Sequence, residues 1–377
     1  MANTLQLYFP QLRERQQILD DILSRENLKN IYDTWNEQQQ KYFLDICCGA
    51  RGIKMLYDSF FKEIFDPDVK PERLEELLSL LLDQRVKILK VLPNDSTRIA
   101  DESSLLIMDI VVQLEDGSIA NVECQRIGYK FPGQRAACYS ADLLLRQYKR
   151  VRGEKGKKFS YKDIKKVYSI IFYEQSPKEF QAFPYESIHR SKQHTDTGVE
   201  VELLQEFLFV SLDTMKKIYE NNGIRNKLEA WLIFLSDDNP ETIIRLIEEY
   251  PEFREMYEEV CDLCLNTEKV MDMFSKELLE LDRNTVQLMI DEMQDEIDSQ
   301  KVTIQEKDVT IQEQGAKLQE KDATIQEQGA QLQEKDVTIQ EQDAQLQEKD
   351  VTIQEQGAQL QEKDAYIAEL EAKLAKQ

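Results

Sequence analysis

The chain has no run of about 18 apolar residues in its 377, which excludes a membrane-spanning helix. The start MANTLQLYFPQLRERQQ puts no apolar stretch behind a basic head, so no secretory leader is expected. Histidine is scarce. His189 and His194 are the only two, and SIHRSKQHTDTG reads as strand and turn rather than as a helix pairing them on a metal. Structural or surface roles are expected of both. Six cysteines are too few in a chain this long for a disulfide scaffold. Cys47 and Cys48 are adjacent, Cys124 and Cys138 lie mid-chain, and Cys261 and Cys264 form one CxxC in the helical stretch EEVCDLCLNTEK. A zinc site needs four ligands and no second pair stands at ligand spacing, so buried free thiols are expected. A soluble protein of the cytoplasm, with no membrane partner, is the working class.

Apolar residues make up 41% of the chain, with Phe, Tyr, Leu and Ile plentiful enough to build a core, so it is not wholly disordered. The length suggests two or three domains. The formal net charge of −24 is unevenly spread. Residues 1–125 carry a net −8, residues 126–192 a net +10 and the remainder −26. The basic band runs from Arg126 through Lys149, Arg150, Arg152, Lys155, Lys157 and Lys158 to Lys165 and Lys166. Such a band either lies solvated on a helix and loop or neutralises phosphates and releases their counterions.

Residues 1–56 read as a helical, loosely amphipathic segment. YDSFFKEIF repeats apolar side chains at Phe61, Ile64 and Phe65, a helical spacing that Asp66-Pro67 ends. ERLEELLSLLLDQR places Leu74, Leu77, Leu78 and Leu81 on one helix face. SLLIMDIVVQLEDGSIANVECQRI is the most strand-like stretch, two β-rich runs around Asp116-Gly117. A helix is expected after Pro132, then the strand KVYSIIFYE and two strand-like stretches within 180–215, the second EFLFVSL. Helix dominates from about Asn226. The expected architecture is α/β: an N-terminal helical segment 1–56, a mixed α/β core 57–220, a helical extension 221–289 and a repeat helix 290–377.

The unit IQEKDVTIQEQGAK (304–317) recurs with few changes at 318, 332 and 346. With Ile367 at heptad position a, every a from Ile290 to Leu374 is Ile or Leu. A sustained repeat of seven predicts a left-handed coiled coil and a homo-oligomer formed through residues 290–374. The d positions oppose it. From Gln300 to Lys363 they alternate Gln and Lys, and Gly315, Gly329 and Gly357 each cost a helix about 1 kcal/mol.

The chemistry is expected in residues 105–125. Asp109 interrupts the apolar run LLIM-D-IVV, and a charge there is costly without a partner such as a metal. Glu123 and Gln125 share one face of the next strand. A two-residue turn pairs position 109 with 124 and turns Asp109 away from Glu123. A three-residue loop with a left-handed Gly117 pairs 109 with 123. In that register the two carboxylates repel unless a divalent cation lies between them, and hard oxygen ligands suit Mg²⁺ or Mn²⁺.

The set D-S-F-F-K-E-I-F (58–65), M-D-I-V-V-Q-L-E-D-G-S-I-A-N-V-E-C-Q (108–125), then Arg135 and Tyr139 on the following helix, resembles the PD-(D/E)XK nuclease superfamily. It is most similar to the recombination-promoting nuclease and putative transposase branch. HTDTG, KLEAWLIFL and LDRNTVQLMIDEMQ also look like bacterial members with long C-terminal tails, and the likeness covers about residues 40–300. The resemblance implies a restriction-endonuclease-like mixed-sheet core and Mg²⁺-dependent DNA cleavage linked to transposition or recombination. It makes Asp109 and Glu123 the metal-binding carboxylates, and puts Gln125 where the superfamily has a lysine. It matches Asp58 to an acid of the first helix, with Glu63 as a fallback. Arg135 and Tyr139 either face the phosphate or pack the helix. Lys149, Arg150, Arg152, Lys157 and Lys158 would contact DNA, and Lys62 is either a surface residue or a phosphate contact. The rival reading is a binding or scaffold protein with a decayed nuclease fold, assembled through the repeat.

Overall fold

A computed structural model describes residues 4–92, 109–127, 132–191, 193 and 195–374. His194 and the apolar run before Asp109 lie outside them. The chain divides into two compact units, Met1–Gln294 and Asp295–Gln377.

The first unit opens with four helices, α1 (Thr4–Tyr8), α2 (Arg15–Ser24), α3 (Glu26–Thr34) and α4 (Glu37–Cys47). Helices α5 (Asp58–Ile64) and α6 (Pro71–Leu82) follow, then β1 (Ile88–Val91), β2 (Ile110–Leu114) and β3 (Ile119–Ile127). Next come α7 (Pro132–Lys155), β4 (Val167–Gln175), the short α8 (Lys178–Gln181), β5 (Ile188–Ser191) and β6 (Gln205–Ser211). Helices α9 (Leu212–Asn222), α10 (Lys227–Ser236), α11 (Pro240–Glu249) and α12 (Phe253–Leu265) precede α13 (Thr267–Leu374). No described helix is long and apolar enough to cross a membrane.

The strands form one six-stranded mixed sheet in the order β1-β2-β3-β4-β6-β5. β3, β4 and β6 run parallel and the outer pairings are antiparallel. Strand β4 is buried over Val167–Tyr173, which is why VYSIIFY reads as a continuous apolar run rather than an alternating one. The sheet has two distinct faces. One carries Ile110, Val112, Ala120, Val122, Ile170, Phe172 and Val210 into a large core shared with the helices of both ends of the unit. The leucines of α6, Leu74, Leu77, Leu78 and Leu81, are fully buried there, each contributing about 2 kcal/mol of burial. The other face packs Val111, Ile119 and Val167 against Tyr139 and Leu143 of α7.

Turn chemistry sets the register between β2 and β3. Gly117 has φ 89° and closes a three-residue loop, its N–H donating to the Leu114 carbonyl at 2.9 Å. The Asp116 carboxylate accepts the Ser118 N–H at 2.9 Å and fixes the bend. Leu114 N then meets Ser118 O at 2.8 Å, and the ladder runs Gln113 with Ile119 to Ile110 with Val122. Carried one residue further, that register sets Asp109 opposite Glu123, so of the two registers the sequence allowed, the three-residue loop is the one formed.

Cys47, Cys48, Cys261 and Cys264 are free and buried, and Cys124 is free and half-buried. Cys138 departs from the expected pattern. It lies exposed, because it falls on the outward side of α7 between the buried Ala136 and Tyr139. His189 stacks on Phe180 with ring centres 4.7 Å apart, a packing role, and burial lowers its pKa.

In the second unit α13 continues to Leu374. The a-position side chains stand in solvent, Leu318 at 61% and Ile325 at 64% exposure among them. Thr310, Thr324, Thr338 and Thr352 turn their hydroxyls back to the carbonyl four residues earlier.

Candidate active site

Four elements bring the expected residues together. Asp58 begins α5, where a carboxylate complements the positive end of the helix, and Lys62 follows one turn later on the same side. Asp109 stands immediately before β2. Asn121, Glu123 and Gln125 project from alternate positions of β3, onto the face that α7 covers, and all three are buried. Arg135 and Tyr139 come from the first turns of α7.

The two central acids are tied to each other's backbone. Asp109 Oδ2 accepts the N–H of Cys124 at 2.7 Å, and the N–H of Asp109 donates to the Glu123 carboxylate. Glu123 is only 2% exposed, and its Oε1 accepts from Asn121 Nδ2 at 3.0 Å. Burial, then the charge of Asp109, pushes the Glu123 carboxyl well above its usual range. Asp109 is raised to about 7, first by burial and then by the negative charge of Asp58. Lys62 opposes that rise, its Nζ lying 2.7 Å from Asp58 Oδ1 and 3.6 Å from Asp109 Oδ1. The Gln125 side-chain oxygen is buried without a hydrogen-bond partner among the described residues.

Tyr139 is buried against Val111, Ile119 and Leu143, so its ring packs the helix on the sheet. Burial raises its hydroxyl to about 12, and the Arg135 guanidinium lies 5.1 Å from its ring centre. The positive charge of Arg135 also acts on Glu123. So of the pair, Tyr139 does the packing while Arg135, half-buried over its ring, acts by its charge on Glu123.

Other candidates lie apart. Glu63 turns away to Lys269 at 2.6 Å. Arg126 is held by Glu174 at 3.2 Å and by the ring of Tyr57, and Lys166 by Glu206 at 2.6 Å. Lys149, Arg152, Lys157 and Lys158 are exposed and Arg150 half-buried, but Lys149 already lies about 15 Å along α7 from Tyr139 at 1.5 Å per residue. A cavity of about 570 Å³ between Asp45, Arg51, Lys216 and Asp237 contains none of Asp58, Asp109 and Glu123, and its two cations are already paired, Arg51 to Asp238 and Lys216 to Asp237.

Sequence reasoning left Lys62 undecided and passed over Asn121. Strand alternation alone places Asn121 on the face of Glu123. For Lys62 the signal was its spacing of four from Asp58, which an ordinary exposed helix pair shows equally well.

Among the described residues no three His, Cys, Asp or Glu side chains converge into a ready-made metal cage. Mg²⁺ does not need one, since it is commonly held by one or two carboxylates with water and substrate phosphate. A buried and a half-buried carboxylate, adjacent and beside an unpartnered amide oxygen, suit such an ion.

A mixed sheet with two opposed acids on a hairpin, flanked by helices that add an acid, a lysine and an arginine, defines a nuclease-like α/β protein. A family model described as PD-(D/E)XK nuclease family transposase matches residues 55–288, and the chain belongs to that family. Its function therefore lies in the nuclease and transposition-related class, a family that generally uses divalent metal ions. No curated protein and no solved structure matches the chain.

Proposed function

We propose that the protein is a metal-dependent DNA endonuclease that hydrolyses phosphodiester bonds in the course of transposition or recombination. The observation that carries this reading is the register of β2 on β3, which one residue past Ile110–Val122 sets Asp109 opposite Glu123, with Glu123 buried and Asp109 half-buried. Asp109 and Glu123 would hold Mg²⁺ or Mn²⁺. Such an ion supplies an activated water and a counter-charge for the phosphate. Gln125 offers its unpartnered oxygen to a proton of the attacking water and so orients it, although an amide cannot neutralise charge. Arg135 offers a guanidinium to a phosphate oxygen, and Asn121 holds the Glu123 carboxylate in place. The exposed cations of Lys149, Arg152, Lys157 and Lys158 grip the DNA backbone away from the cut rather than at it.

A supercoiled plasmid is the cheapest substrate. Nicking in Mg²⁺ or Mn²⁺ and none in EDTA is the expected result, and equal nicking in both would remove the metal-dependent reading.

The tail of the same protein is assigned to self-association. A row of Ile and Leu at every seventh residue stands exposed along α13, and a second copy of the chain presents a matching row. Ending the chain after Gln287 should lower the mass seen by light scattering to that of one chain. An unchanged mass would mean that these rows do not hold copies together.

A further inference from the structure

Lys62 stands where one cation serves both Asp58 and Asp109. Its Nζ is 2.7 Å from the first and 3.6 Å from the second, on a side chain 35% exposed. Helix geometry fixes the first contact, because Asp58 and Lys62 are one turn apart. Packing fixes the second. Phe60, Phe61, Ile64 and Phe65 are all buried in the large core, which leaves α5 no rotation that would carry Lys62 away from β2.

That placement answers a deficit in the site. Gln125 shares the face of Glu123 two residues on, and it is neutral. Among the residues gathered at the acids, the remaining cation is Arg135, whose charge acts on Glu123 from α7. Cleaving a phosphodiester places added negative charge on the phosphorus oxygens, and a fixed cation near them is worth more than an oriented dipole.

We propose that Lys62 is the catalytic cation of this site, contacting a non-bridging oxygen of the scissile phosphate, with Asp58 as the positioning residue that aims it. Without DNA and a divalent ion the ammonium neutralises Asp109. With the ion on Asp109 and Glu123, the ammonium keeps Asp58 as its anchor and turns its remaining N–H groups to the phosphate. Lys62 forms and breaks no covalent bond. The oxygen of water bonds to phosphorus as the phosphorus–ester oxygen bond breaks, the water gives one proton to solvent and the leaving oxygen takes one from solvent, and the lysine supplies charge alone.

This assignment rests on the nuclease reading, and its test separates the two. Plasmid nicking and Mn²⁺ binding are measured on the full chain for the parent, Lys62→Met, Lys62→Gln and Lys62→Arg. Lys62→Met is expected to lower kcat by about 10²- to 10³-fold, the scale of losing one preorganised donor to a developing oxyanion. Mn²⁺ should bind it several-fold more tightly than the parent, since no ammonium competes for Asp109. Lys62→Arg, which keeps the charge, should recover at least about a tenth of the parent rate. A lysine that merely held the acids in place would move both readouts down together, and that result overturns the proposal. So does a Lys62→Met protein that nicks within about threefold of the parent. Should Lys62→Met fail to fold, Lys62→Gln and Lys62→Arg decide: equal rates in the two overturn the assignment, and a loss in Lys62→Gln alone supports it. A parent protein that never nicks DNA overturns the nuclease reading and this one with it.

Discussion

Replacing Glu123 by Gln should reduce metal-dependent nicking by about 10³-fold or more while leaving a folded protein. The expected loss is large because the substitution removes half of the carboxylate pair that would hold the ion, and with it the ion's share of water activation and charge stabilisation. The fold should survive because Gln has nearly the shape of a protonated Glu. Burial and the charge of Asp109 already push Glu123 toward that protonated form when no metal is bound. The amide oxygen of Gln can still accept from Asn121. The measurement is the rate of plasmid nicking at saturating Mg²⁺, with the circular-dichroism melt as the control for folding. A Glu123→Gln or Glu123→Ala protein that cuts as fast as its parent would take Glu123 out of the mechanism, even if cleavage itself were real.

The second large effect concerns stability and runs opposite to activity. In EDTA at pH 8, Asp109→Asn should melt higher than the parent by roughly 5 °C. The Asp109 carboxyl is raised to about 7 from the ordinary 3.8, chiefly by burial and by Asp58. A folded state that binds a proton more tightly than the unfolded chain is favoured by that proton at low pH. The contribution is therefore complete below about pH 4 and is lost as the pH climbs through 7. Above 7 the parent carries a largely buried charge that Lys62 and the Cys124 N–H offset only in part and that the unfolded chain leaves in water. Asn never ionises, and its side-chain oxygen can still accept from the Cys124 N–H. A tenfold difference in proton affinity between the folded and unfolded chain is worth about 1.4 kcal/mol, and the rise to about 7, in which the pull of Lys62 is already included, is reduced by the solvent contact Asp109 keeps to a net of about 2 kcal/mol. For a unit of this size that gives about 2–4 °C per kcal/mol. Two further observations follow from the same cause. The difference between parent and variant should vanish near pH 4, and Mg²⁺ should raise the parent's melting temperature while leaving Asp109→Asn unmoved. A variant that melts lower than the parent at pH 8 in EDTA would mean that the charge on Asp109 is already fully compensated in the metal-free protein.

Much of this site was legible in the order of residues, and what was not has physical reasons. The leucines of α6, the break at Asp66-Pro67 and the long helix after Pro132 follow from periodicity and proline chemistry alone. Strand alternation set Glu123 and Gln125 on one face. The facing of Asp109 was left between two registers, because Asp-Gly suits a two-residue turn and a three-residue loop alike. The loop is settled by the left-handed Gly117 and the Asp116 clasp on Ser118, local geometry that residue types alone do not choose. Strand β1 escaped notice because ILKV is four residues at a sheet edge with a lysine among them. Helix α9 was hidden because it follows β6 with no intervening loop, Ser211 ending one and Leu212 beginning the other. Closeness along the chain is no guide to closeness in the fold. The basic band stands only a few dozen residues after Glu123, yet a rigid helix of 24 residues carries most of it away from the acids. Lys62, 47 positions before Asp109, ends up beside it instead.

The loop at Glu115, Asp116 and Gly117 touches none of the reacting groups, yet it fixes Leu114 opposite Ser118 and so decides which residues of β2 and β3 meet. An exchange of side chains there should be forgiving as long as position 117 keeps its left-handed bend. Shortening or lengthening the tip itself should also be tolerated, because turns of several lengths can close the same flanking pair. Deleting one residue inside β3, between Ser118 and Glu123, is a different operation. The side chains beyond the cut would trade sides, driving Glu123 and Gln125 among the aliphatic groups now packed against Val112 and Ile170. Engineers wishing to splice a reporter or a binding peptide into this protein could choose the tip, provided they leave the strands uncut.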